Sequence, residues 1–149
     1  MNAPTPFTAD EIRAGCPDGR TITLLVEPAG GEPFRRVNRY RDADHDGVTI
    51  DRWTLGPDGE RVGEVAATRS TWLELQAHAS FPADVTTVTR ETVELPLGEV
   101  EALRYRVGTG ADAATFWFAP AHPGMPVRYE SPSAAGGVDR TTVVSDTVS

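Results

Sequence analysis

The chain has 149 residues, a formal charge of −8 and a sequence pI near 4.8. That balance argues against a nucleic-acid partner, whose phosphates require clustered positive charge. Its length fits a single domain over residues 1–149, with a core that needs no metal or disulfide staple, and the lone Cys16 rules out an internal disulfide. No apolar run approaches the ~20 residues of a membrane-spanning helix, so membrane insertion is not expected. The start shows no charged segment followed by an apolar one, which sets the expectation of a cytoplasmic protein.

Residues 1–6 are small, polar and proline-containing, the composition of a frayed terminus. A short helix follows. Thr8 and Glu11 have capping-box spacing, Phe7 can pack on Ile12, and Gly15 with Pro17 ends the run. From Arg20 to Glu27, Ile22, Leu24 and Val26 alternate with mostly polar residues, as in an amphipathic strand. Turns at 28–33, 42–47 and 56–59 separate three more strands, at 34–41, 48–55 and 60–68, giving an antiparallel meander. In the third, Val48 and Ile50 have one parity and Trp53 and Leu55 the other, which implies a bulge or cover on both faces. Thr71 and Glu74 form a second capping-box pair, and Trp72, Leu75 and Ala79 make one apolar helix face before Phe81-Pro82. Strands at 85–95 and 99–107, the aromatic strand Thr115–Ala119, its partner at 127–131 and a last strand at 138–145 complete the chain. The expected fold is mainly β with two short helices: one strongly curved antiparallel sheet or half-barrel, closed or nearly so, with the Trp72 helix on its concave side.

Thr115-Phe116-Trp117-Phe118-Ala119 is apolar on both faces, with Phe116 and Phe118 opposite Trp117. One face should meet the Trp72 helix, and the other the N-terminal helix or a neighbouring subunit. Trp53, Trp72, Phe116, Trp117, Phe118 and Tyr129 either line an apolar pocket or form plain core, with His122 at the mouth of any such cavity.

All 14 basic residues are arginine. Along 34–41, strand parity puts Arg35, Arg39 and Arg41 beside Val37, and Arg36 beside Phe34, Asn38 and Tyr40; a solvated face and an anion site both fit. Asp42, Asp44 and Asp46 before Gly47 match the first half of a calcium loop, but the twelfth position is Trp53, and an Asp-rich hairpin turn explains the segment equally well. No metal or cofactor is therefore assigned. No Gly-x-Ser-x-Gly elbow occurs, and Cys16 lies at a helix C-terminus, where the dipole disfavours a thiolate.

Thr92-Val93-Glu94-Leu95-Pro96-Leu97-Gly98-Glu99, Tyr105, Phe116-Trp117-Phe118-Ala119-Pro120 and Pro123-Gly124-Met125-Pro126-Val127-Arg128-Tyr129-Glu130 resemble the C-terminal part of bacterial LolA-like domains and related uncharacterised domains. The resemblance implies a half-barrel of antiparallel strands, covered by helix on its concave face, whose apolar interior takes up acyl chains in lipoprotein carriers. The leading functional expectation is a non-enzymatic binding protein for a hydrophobic small molecule or acyl chain, with Arg36, Arg104 or Arg128 meeting an acidic head group. The alternative is a protein-interaction or structural module with a solid core, possible as a homodimer. A small-molecule cyclase or hydrolase ranks third, because no nucleophile, metal set or acid–base pair announces itself.

Overall fold

A computed structural model describes residues 1–148. Nine antiparallel strands form one sheet in the order β4-β3-β2-β1-β9-β8-β7-β6-β5. The strands are β1 (Arg20–Glu27), β2 (Phe34–Arg41), β3 (Gly47–Leu55), β4 (Arg61–Thr71), β5 (Thr86–Leu95), β6 (Gly98–Val107), β7 (Ala114–Phe118), β8 (Arg128–Pro132) and β9 (Val138–Val148). Two meanders, β1–β4 and β5–β9, thus run outward from and back to the centre, where β1 pairs with β9.

The sheet does not close, since β4 and β5 are its two edges. It must nevertheless curl. Flat, its eight inter-strand gaps would span about 38 Å, whereas the connection from Thr71 to Thr86, which contains helix α2 (Trp72–Ala77) and a 3-10 turn (Ala83–Val85), reaches only about 30 Å. The connection therefore crosses the concave face. There α2 meets helix α1 (Ala9–Gly15).

Both helices begin as their capping boxes dictate. The Glu11 N–H donates to Thr8 Oγ1 (3.1 Å) and the Thr8 N–H to Glu11 Oε1 (2.9 Å), an exchange repeated by Thr71 and Glu74 at 3.0 Å each way. Helices this short are unstable alone and depend on packing. Gln76 of α2 accepts the Ala9 N–H of α1 (2.8 Å), while Phe7, Ile12 and Trp72 enter one core with Ile22, Leu24 and Tyr105 of the sheet. The Trp72 indole donates to the Asp44 carbonyl (2.8 Å), so its polar edge is satisfied within that core.

The imperfect alternation of β3 is a bulge: register with β4 shifts between Arg52 and Thr54, leaving Trp53 without a paired residue there. Trp53 aligns with Val37 on β2, on the face away from the helices. Trp117 lies on that outer face too. It belongs to a second buried cluster with Val93, Leu95, Ala102, Ala119 and Val127, separate from the main core. The aromatic strand therefore presents Phe118 to the start of α1, where the ring of Phe7, just before the helix, meets it edge-on at 6.2 Å, while intramolecular contacts cover Trp117. The expectation that one face of this strand meets the Trp72 helix and the other the N-terminal helix or a second subunit is corrected in part: Phe7 and both helices lie on the Phe118 side, and sheet residues cover the Trp117 side.

The N-terminal segment makes long-range hydrogen bonds: the Ala3 N–H donates to Phe81 O (2.8 Å), Ala83 N–H to Met1 O (3.0 Å), and the Tyr105 hydroxyl to Pro4 O (2.6 Å). Small residues fit closely here, and a buried tyrosine hydroxyl needs an acceptor.

At the acidic turn, Asp44 Oδ1 accepts the N–H groups of Asp46 (2.9 Å) and Gly47 (3.0 Å), and its other oxygen meets Arg69 at 2.8 Å. Asp42 pairs with Arg41 at 2.7 Å. Gly47 is required by proximity, since a Cβ there would stand 2.1 Å from the Ser70 carbonyl oxygen. Among the described residues no group of three or more His, Cys, Asp or Glu side chains is placed to hold a metal ion.

Candidate ligand-binding site

Register determines which side chains look into the concave face. Leu24 aligns with Arg36 and Ile22 with Asn38, so β2 turns Arg36, Asn38 and Tyr40 inward with the core, as strand parity implied. Asn38 in turn aligns with Arg52 of β3, and Tyr40 with Ile50. Across the sheet, β7 contributes Phe116 and Phe118 to the same face, because Tyr105 aligns with Phe116 and belongs to the main core.

Over this floor lie Ile12 of α1, Leu75 of α2, His78 and Ala79 just beyond it, and Phe81; the segment Gly124–Pro126 closes one side. They line an open-sided cavity of about 260 Å³. The rings that line it are packed on others behind them. Phe116 stacks on Phe81 (centroids 5.0 Å apart) and on Tyr129 (6.0 Å), and Phe118 meets Tyr105 edge-on at 5.3 Å. Phe116 stays only half-buried because it faces the cavity, whereas Phe118 is core.

The cavity's polar groups are cationic or neutral: Arg36, Arg52 and His78, with the Asn38 amide between the arginines and no carboxylate among the lining residues. Of the arginines expected to meet an acidic group, Arg36 is at the cavity. Arg104 and Arg128 instead flank the Trp117 ring on the outer face, at 5.9 and 5.7 Å, while the Trp117 indole donates to Glu91 (3.0 Å). Trp53 and Trp117 are thus both separated from the cavity by the sheet itself.

His122 does not line the cavity. Its Nδ1 lies 2.8 Å from Asp146 Oδ2, and Asp146 also holds Arg20 through two bonds, Nε to Oδ1 (2.9 Å) and Nη2 to Oδ2 (2.7 Å). Arg20 donates further to the carbonyls of Gly15 (2.9 Å) and Pro123, and to Cys16 Sγ (3.2 Å). This buried network pins the end of α1 and the cavity's closing loop to β1 and β9. The loop passes so near that Gly124, at φ +114°, would set a Cβ 3.4 Å from Cys16 Sγ.

The electrostatics follow from burial and pairing. Burial pushes the Asp146 carboxyl up, but hydrogen bonds from Arg20 and His122 outweigh it and hold the group below the ordinary aspartate range. For Cys16, burial dominates over the opposing Arg20 charge and raises the thiol, which disfavours a thiolate. Burial likewise raises Tyr40, which stacks beneath Arg20.

Of the residues the sequence nominated for a pocket, Phe116, Phe118 and Arg36 are at the cavity, whereas Trp72 and Tyr129 lie on the same side of the sheet but outside its lining. Sequence reasoning missed Asn38, Arg52 and Met125 as cavity residues. The Asn38–Arg52 juxtaposition is a register relation, visible only once the β2–β3 hairpin is aligned.

Neither a protein-family model nor a curated protein sequence matches the chain. Solved structures do share its fold. MucB superposes with a TM-score of 0.61 at 11% identity, covering 93% of this chain and 56% of MucB, so the chain spans little more than half of that protein. A protein assigned as a lipoprotein from Parabacteroides distasonis gives 0.54 at 9% identity, covering 89% and 96%. A protein assigned as exported, with a YmcC-like fold, from Bacteroides fragilis gives 0.51 at 13%, covering 88% and 96%. A LolA superfamily protein from Nitrosomonas europaea also matches, with a TM-score of 0.25 at 10% identity and coverage of 96% and 94%. At these identities the likeness to the first three is one of fold alone.

The cytoplasmic expectation is overturned by the same comparison, because the neighbours include an exported protein and a lipoprotein. That expectation rested on the first residues of the sequence, whose composition does not report on compartment. Among the described residues no helix is long and apolar enough to cross a membrane.

Proposed function

We propose that this chain is an extracytoplasmic binding protein that holds a hydrophobic small molecule or an acyl chain between the concave sheet and helices α1 and α2. The observation that carries the reading is the 260 Å³ cavity, walled by Phe81, Phe116, Phe118, Leu75 and Met125 and left unfilled by side chains. Its size is just under the ~300 Å³ at which small-ligand pockets begin. Affinity would come from apolar burial, at about 25 cal/mol per Å². The exported and lipoprotein neighbours support the location, and the LolA-like resemblance supports the acyl class.

Titration with a neutral naphthylamine dye tests this. The expected result is saturable one-to-one binding in the wild type, lowered at least about tenfold in Ala79→Trp, where an indole would occupy the space beside Leu75 and Phe81. Absence of saturable binding by the dye and by a series of fatty acyl methyl esters would sink the proposal.

A further inference from the structure

The floor of the cavity carries a polar group that the protein leaves unsatisfied. Asn38 is 6% exposed, its Oδ1 has no hydrogen-bond partner among the described residues, and its amide nitrogen meets only the Met125 thioether, at 3.9 Å. Turning the amide over does not help. One polar end would still face the Met125 sulfur, at best a weak acceptor. A buried carbonyl oxygen without a donor is costly, and natural folds seldom keep one without a purpose.

Two cations flank it. Arg52 is the cross-strand neighbour of Asn38, and Arg36 lies two residues along the same face of β2, which sets the three Cβ atoms within about 7 Å of one another. Among the described residues neither arginine takes part in an ion pair; the eight pairs present involve other arginines and histidines. Arg36 has one long side-chain hydrogen bond, 3.5 Å to the Tyr129 hydroxyl. On the outer face of the same strand Arg41 is treated differently, being paired with both Asp42 and Asp51. A guanidinium beside an apolar cavity with no carboxylate of its own suits a carboxylate from elsewhere.

We infer that Arg36, Asn38 and Arg52 form a head-group subsite for a hydroxy acid: a carboxylate between the two guanidiniums, a neighbouring hydroxyl donating to Asn38 Oδ1, and an alkyl chain running toward Phe116. The inference rests on the proposed binding function and specifies its ligand class. Each polar element has a separate partner. The carboxylate gives charge-assisted bonds to arginine, and the hydroxyl satisfies the one acceptor the protein does not.

Four probes separate these contributions: decanoate, 3-hydroxydecanoate and the methyl esters of both, each competed against the naphthylamine dye. In the wild type the acids should bind about tenfold tighter than their esters, and the 3-hydroxyl should add about fivefold in either pair. Asn38→Leu should remove the hydroxyl preference and keep that for the carboxylate. The double variant Arg36→Met/Arg52→Met should do the reverse. Methyl decanoate, which engages neither polar element, reports in every variant whether the cavity is intact, and the wild-type series decides the question by itself if a variant fails to fold. Equal affinity for all four probes would overturn the subsite while leaving the binding function standing. Failure of all four and of the dye would remove the binding function, and the subsite with it.

Discussion

Arg20 and Asp146 are 126 residues apart in sequence and form a two-pronged pair, at 2.9 and 2.7 Å, beneath the loop that closes the cavity. Arg20 is 3% exposed and the Asp146 side chain 9%. A pair this buried adds little relative to an apolar substitute, but removing one partner strands the other. Asp146→Ala leaves a buried guanidinium held only by carbonyls and a thiol, and should cost about 3–5 kcal/mol. Urea unfolding at neutral pH measures this directly. A loss of only a few tenths would mean that water reaches Arg20 and replaces the carboxylate.

The same pair sets an acid limit. Asp146 is held below the ordinary aspartate range in the folded protein, so its stabilising contribution is complete well above the unfolded value of ~3.9 and is lost as pH falls through the lower folded value. The stability gap between wild type and Asp146→Asn should therefore be full at pH 7 and narrow below about pH 4. Paired urea titrations at pH 7, 4 and 3 check the trend. A gap that widened in acid would contradict it.

Trp117 and Trp53 share the outer face but differ in their surroundings. Trp117 is 7% exposed, clustered with Val93, Leu95 and Val127, and hydrogen-bonded to Glu91, whereas Trp53 is half-buried at a bulge. Trp117→Ala should cost about 3–5 kcal/mol, with Trp53→Ala distinctly milder. Because the sheet stands between both rings and the cavity, neither variant should shift the dye's dissociation constant while the protein remains folded. Denaturant midpoints and dye titrations together test this separation.

Gly47→Ala addresses the hairpin between β2 and β3. A methyl group 2.1 Å from the Ser70 carbonyl oxygen cannot be accommodated without moving β4 or the start of α2, and should cost at least about 1–3 kcal/mol. A neutral result by thermal or urea unfolding would show that this contact is loose in solution.

Local signals made much of the architecture legible. Both capping boxes formed as the Thr8/Glu11 and Thr71/Glu74 spacings required, and the broken alternation around Trp53 is the β3–β4 bulge. Parity along Phe34–Arg41 separated Arg36 from Arg35, Arg39 and Arg41, and that division is the difference between cavity and solvent. What sequence could not convey was non-local. Parity states that Phe118 and Trp117 oppose each other but not which of them meets a helix. His122 was drawn to Asp146 by a partner on the last strand, and the first residues were held by Phe81 and Tyr105 far along the chain. Trp53 and Trp117 were grouped with the concave aromatics by residue type alone; strand register alone assigns them to the other side.

Phe116 offers a way to alter the cavity without dismantling the fold. It is half-buried, stacked between Phe81 and Tyr129, and forms wall rather than core. Phe116→Ala should therefore destabilise less than Trp117→Ala while lengthening the space available to an alkyl chain. Removing the ring frees room for further methylenes, each contributing about 0.8 kcal/mol when buried, so the preferred chain should lengthen. Dissociation constants for methyl esters from eight to fourteen carbons, measured for wild type and variant by dye displacement, give the optimum for each. Coincident optima would mean that Phe116 does not limit the chain, and that the alkyl group leaves the cavity by another side.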